Sequence, residues 1–112
     1  SGTVPGAAAR TAERGTPAFY GDTRTQTISV FERIKKNLES QGMDMGNIIK
    51  LTVFLVGDPA KGNAMDFAGF MEAYVQYFGT KEQPNLPARS AVQIAGLVGP
   101  LMFVEIEAIT AR

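Results

Sequence analysis

Arg89 stands in the run Asn85-Leu86-Pro87-Ala88-Arg89-Ser90, and two carboxylates follow it in Val104-Glu105-Ile106-Glu107-Ala108-Ile109. A guanidinium presents its N–H donors in a planar fork that matches a carboxylate, so an arginine held in place can grip an acid with two bonds. Pro87 fixes its own φ, and Arg89 therefore enters the next strand at a defined edge rather than on a floppy loop. Two carboxylates on one strand face suit general acid and base work, since close neighbours can keep a proton that a lone carboxylate would lose. Spacing alone leaves Arg89 with two readings. One is a cross-strand ion pair with Glu107, worth under about 1 kcal/mol at a surface; the other is a clamp for a ligand carboxylate.

Other chemistries lack their residues. The chain has no cysteine and no histidine, which removes thiolate chemistry, disulfides and the commonest zinc ligand. Ser1, Ser90 and Tyr74 can orient a ligand, but with no histidine and no suitably placed lysine neither serine becomes a triad nucleophile. Gly57-Asp58-Pro59-Ala60-Lys61-Gly62 lacks the phosphate-loop spacing. Asp58 and Asp66 are too scattered for a metal cage. Eleven basic residues balance eleven acidic ones, so the chain has no electrostatic footprint for nucleic acid. No apolar run is long enough for a membrane span, and the expected setting is cytoplasmic, with the periplasm left open by the absence of cysteine.

The elements that would position these groups fit one domain of 112 residues, 45% of them hydrophobic. Residues 1–21 are rich in Gly, Ala, Thr and Pro and read as loop, with Thr3-Val4 able to finish a strand. Asp22 or Thr23 can cap a helix whose apolar stripe is Thr27, Ile28, Phe31, Ile34 and Leu38 and which Gly42 stops. Residues 47–56 predict a strand with Ile49, Leu51, Val53 and Leu55 turned toward the helices. A second helix over 65–78 carries Phe67, Phe70, Met71, Tyr74 and Phe78 as a core stripe.

Two last strands, over 88–95 and 101–111, flank the loop 96–100 and predict an antiparallel hairpin. That pairing sets Arg89 opposite Glu107 and diagonal to Glu105, on one side of the sheet. The fold class is then α+β, a mixed β-sheet with two helices packed on one face. Leu101, Phe103, Phe54 and Val56 are expected on the uncovered face, which predicts a closed homo-oligomer with its functional groups where subunits meet.

These residues also resemble the Rid (YjgF-like) enamine/imine deaminase family, known too as endoribonuclease L-PSP. The matching pieces are Ser1-Gly2-Thr3-Val4-Pro5, the helix over 26–42, and Ile48-Ile49-Lys50-Leu51-Thr52-Val53-Phe54-Leu55. Asp66-Phe67 with Tyr74 and Phe78, then Pro87-Ala88-Arg89-Ser90 and the Glu105-Glu107 strand, complete them. The resemblance implies a chorismate-mutase-like fold and a homotrimer with clefts between neighbours. It implies that Arg89 grips the substrate carboxylate, that Glu105 serves the water and the departing nitrogen, and that backbone at Gly2 and Ala91, beside Ser1, fixes ligand and water. The implied reaction converts 2-enamine and 2-imine acids of the 2-aminoacrylate type to 2-keto acids and ammonia, with no cofactor.

The chain departs from the family pattern in three places. It begins at the Ser-Gly motif, so a single domain over 1–112 without the family's N-terminal β-hairpin is expected. Met71 stands where many active relatives have asparagine, and the loop over 6–20 is longer than usual. Imine hydrolysis and a non-catalytic trimeric module binding small carboxylates are the two readings carried forward. Ribonuclease activity is disfavoured by the zero net charge and the missing histidine.

Overall fold

The computed structural model describes residues 2–112. After a loop comes α1 (Pro17–Tyr20), a single turn that opens on a proline. α2 (Thr23–Ser40) follows at once because the Asp22 carboxylate accepts a hydrogen bond from the Thr25 N–H at 2.8 Å. Gly42, at φ 74°, turns the chain away beyond its end, a conformation that costs glycine little. The buried stripe is Thr27, Val30, Phe31, Ile34 and Leu38, with Val30 where Ile28 was expected.

β1 (Ile48–Val56) buries Leu51, Val53 and Leu55 completely. Ile49 departs from the expected alternation, being 53% exposed while Ile48 is buried. A register irregularity between Ile48 and Lys50 explains this: a bulge adds one residue to the ladder and reverses the alternation before it. α3 (Phe67–Tyr74) is capped by Asp66, whose carboxylate accepts from the Gly69 N–H at 3.0 Å. It is shorter than the expected 65–78, although Phe78 beyond its end is still buried.

β2 (Ala88–Ile94) and β3 (Val104–Thr110) do not form the expected hairpin. The sheet order is β2-β1-β3, with β2 parallel and β3 antiparallel to β1. β1 has a fully apolar row to bury and therefore takes the centre, leaving the more polar strand β2, with Arg89, Ser90 and Gln93, at an edge. The segment from β2 to β3 passes over the end of β1, where the Val56 N–H donates to the Phe103 carbonyl at 2.9 Å.

Gln26 fastens this crossing to α2. Its amide donates to the Gly21 and Leu101 carbonyls, both at 2.9 Å, and accepts from the Phe103 N–H at 2.6 Å. Leu101 takes a left-handed φ of 56°, so strand geometry begins only after it. Phe103, expected on the uncovered face, is buried in the core instead. The architecture is α+β, a mixed sheet with α2 and α3 on one face. Thr3 adds one antiparallel bridge to the outer edge of β3 by exchanging two hydrogen bonds with Ile106.

Candidate active site

Register decides which side chains share a face. Arg89 pairs with Leu51, Ala91 with Val53 and Gln93 with Leu55, so these three residues of β2 lie under the helices. Arg89 is half-buried beneath α3, its guanidinium carbon 4.8 Å from the Tyr74 ring centre, 5.5 Å from Phe67 and 5.7 Å from Phe70. One N–H reaches the Met71 thioether at 2.9 Å. Ring faces attract a guanidinium by about 0.5–2 kcal/mol each without consuming N–H donors. They hold the cation with no carboxylate partner among the described residues. Burial, partly opposed by the Arg89 charge, raises the Tyr74 pKa, so that ring meets the cation as a neutral phenol.

The ion pair with Glu107, one of the two readings that spacing left for Arg89, is not formed. Among the described residues the only salt bridge joins Arg24 to Glu72, on α2 and α3. Glu107 pairs with Thr52 and Glu105 with Phe54, which puts both carboxylates on the face away from the helices. The expected convergence of arginine and carboxylates on one side of the sheet is thus corrected. It rested on a hairpin, and placing β1 between the two strands reverses the facing of Arg89 relative to them. Arg89 and Glu105 are also separated by roughly 10 Å along β1 and 10 Å across it.

The structure does bring Gly2 to Glu105. A Cβ built on Gly2 would collide with the Glu105 carboxylate, so glycine permits the approach, and the Thr3–Ile106 bridge holds it in register. Ser1 lies outside the described residues. Ala91 is two residues beyond Arg89 on the same face, half-buried against the core. Ser90 is exposed on the opposite face, paired with Thr52. Asp58 and Asp66 serve as caps, accepting from the Ala60 and Gly69 N–H groups.

Two separate groups of the candidate residues result. Arg89, Met71 and Ala91 border the β2 edge under α3, and Gly2 with Glu105 lies on the open face at β3. The reading from sequence treated the α3 stripe as core, and Phe70, Tyr74 and Phe78 are indeed buried. It missed that Phe67, Phe70, Met71 and Tyr74 form the shelf under Arg89. Their i, i+3, i+4, i+7 spacing was legible, but the strand that lies beneath them was not.

The sequence profile of the family described as Endoribonuclease L-PSP matches residues 1–112. The chain belongs to that family. Its members are also called YjgF-like or Rid proteins, and the fold is the YjgF/Rid one. A RutC family protein of Pyrococcus horikoshii is 39% identical over 92 residues, 82% of this chain and 64% of that protein. TdcF of Escherichia coli, which carries a reactive intermediate deaminase name, is 36% identical over 91 residues, 81% of this chain and 64% of TdcF. The crystal structure of TdcF with bound serine superposes with a TM-score of 0.75 at 34% identity, covering all of this chain and 77% of that one. A protein of Salmonella typhimurium named 2-iminobutanoate/2-iminopropanoate deaminase is 34% identical over 97 residues, 87% of this chain and 70% of that protein. The L-PSP-family chain thus spans about two-thirds of the length of these curated relatives. Among its described residues no helix is long and apolar enough to cross a membrane.

Proposed function

We propose that this protein hydrolyses reactive 2-enamine and 2-imine acids of the 2-aminoacrylate type to 2-keto acids and ammonia. The observation that carries the reading is the Arg89 guanidinium, held among three aromatic rings with no carboxylate partner among the described residues. An arginine so placed is a preformed receptor for a ligand carboxylate, and the deaminase names of TdcF and the Salmonella protein agree with it. Once the carboxylate is gripped, the adjacent imine carbon is positioned as well.

The enamine first takes a proton at carbon and becomes the imine. Water then adds to the other alkene carbon, now the imine carbon that bears nitrogen and adjoins the carboxylate, as Glu105 accepts its proton. That proton passes to nitrogen, ammonia leaves, and the hydroxyl gives its own proton to solvent as the carbonyl forms. Because Arg89 and Glu105 face opposite sides of one sheet, a molecule the size of an imino acid cannot touch both in one subunit. The site we propose is composite, with Arg89 and Ala91 from one subunit of a homotrimer and Ser1, Gly2 and Glu105 from its neighbour. RNA is not the proposed substrate, since equal numbers of basic and acidic residues give no cationic surface excess.

The test is pyruvate release from serine dehydratase turnover, in which 2-aminoacrylate is set free. Added protein is expected to accelerate release, and Arg89→Ala to abolish the acceleration. A wild type that gives no acceleration with several amino-acid-derived imines would sink the proposal. The bound serine of TdcF favours a second reading, a module that binds small carboxylates without turnover. Under that reading Glu105→Gln leaves ligand binding intact and there is no activity to lose.

A further inference from the structure

The side chains around Arg89 also bear on which carboxylates the site accepts. α3 turns Phe67, Phe70, Met71 and Tyr74 toward the guanidinium. Phe70 and Tyr74 are buried core residues, whereas Phe67 is 37% exposed and Met71 is half-buried. These last two therefore reach the surface beside the cation, where a ligand would meet it. Of the polar side chains on α3 and β2, the Tyr74 hydroxyl has no protein partner among the described residues, whereas two others are committed elsewhere. The Gln93 amide accepts from the Met65 N–H and donates to the Asn63 carbonyl, and Glu72 pairs with Arg24. Ala91, between Arg89 and Gln93 on the same face, contributes only a methyl group.

A ligand carboxylate accepts far more strongly than a thioether, since sulfur is a weak acceptor whereas a carboxylate is anionic and matches the guanidinium fork with two oxygens. It therefore takes the N–H now directed at Met71. The freed methionine is unbranched, polarisable and without a donor, and it packs well against aliphatic and aromatic groups. We infer that Met71 sets the side-chain class of the ligand: 2-oxo and 2-imino acids with extended apolar side chains, of the leucine, methionine or phenylalanine type, are preferred to those with short or charged ones. The inference rests on Arg89 being the carboxylate clamp proposed above. Apolar pockets discriminate single methylenes by about 10-fold or more, which sets the expected scale.

Stable 2-oxo acids serve as probes in calorimetric titration of the whole chain: pyruvate, 4-methyl-2-oxopentanoate and 2-oxoglutarate. Wild type is expected to bind 4-methyl-2-oxopentanoate about 10-fold or more tighter than either of the others. Met71→Gln, of similar length but polar, is expected to narrow the preference to about threefold or less, and Met71→Leu to keep it. Equal affinities in wild type, or an unchanged preference in Met71→Gln, overturn the inference. Arg89→Ala separates the two claims: if it abolishes binding of all three acids while wild type shows no preference, the clamp stands and Met71's role falls. If Arg89→Ala binds as wild type does, or wild type binds none of the acids, both fall.

Discussion

Arg89 and Glu105 occupy opposite faces of the same sheet, the first registered with Leu51 and the second with Phe54. If they act on one molecule, they must come from two subunits. Neither Arg89→Ala nor Glu105→Ala should be active alone, yet co-expressed in equal amounts they should regain activity. In a closed ring with random mixing, roughly a quarter of the interfaces combine an intact Arg89 with an intact Glu105. Imine hydrolysis by the purified mixture measures this. Absence of any recovery in confirmed mixed oligomers would show that Arg89 and Glu105 do not act together across a subunit interface.

Gly2 matters through the side chain it lacks. In Gly2→Ala the new methyl group meets the Glu105 carboxylate, and the flexible glutamate moves aside more readily than the backbone. Misplacing a reacting group by about 1 Å can cost on the order of 100-fold in rate. Turnover should fall on that scale while the melting temperature changes little. Wild-type turnover in Gly2→Ala would remove Glu105 from the mechanism.

Gln26 holds three backbone groups in a fully buried position. Gln26→Leu fills the same space but leaves those groups without their partner, and each unsatisfied buried polar group costs about 1–3 kcal/mol. A loss of about 3 kcal/mol or more is expected in urea unfolding. An unfolding midpoint within error of wild type would show that the crossing into β3 does not depend on this amide.

Asp22 ties stability to pH. Its carboxyl is held below the ordinary value of 3.8, first by the hydrogen bond from the Thr25 backbone. A depressed folded-state pKa contributes stability above the unfolded value and loses it as pH falls through the folded one. Asp22→Ala should cost about 1 kcal/mol at neutral pH, in line with other helix caps. The gap to wild type should shrink in acid below the ordinary carboxyl range. Unfolding curves at neutral and acid pH measure it, and a gap independent of pH would mean that the charge plays no part.

The helices and the central strand were legible because their signals are local. The Asp22 cap, the Phe31–Ile34–Leu38 spacing and the alternation of Leu51, Val53 and Leu55 all operate within a few residues. Site geometry was less legible because it depends on strand order. Arg89 and Glu107 were correctly assigned to strands, yet which strand lies between them is set by where β1 buries its apolar row. The facing of Arg89 followed from that choice, and so did its aromatic shelf. The Ile49 bulge escaped because an unbroken apolar run carries no mark of the residue at which its phase reverses. The proximity of Gly2 to Glu105 depends on a single bridge at Thr3, too short to leave a periodic pattern.

The central position of β1 also constrains synthesis. It ends at Val56, whereas its two neighbours are Ala88–Ile94 and Val104–Thr110. As the chain lengthens at about 5–20 residues per second, this strand waits on the order of seconds with both hydrogen-bonding edges open. α2 has already been made and can shelter its apolar face, but it cannot satisfy the edges. The nascent chain is therefore most exposed to wrong pairing before β2 arrives.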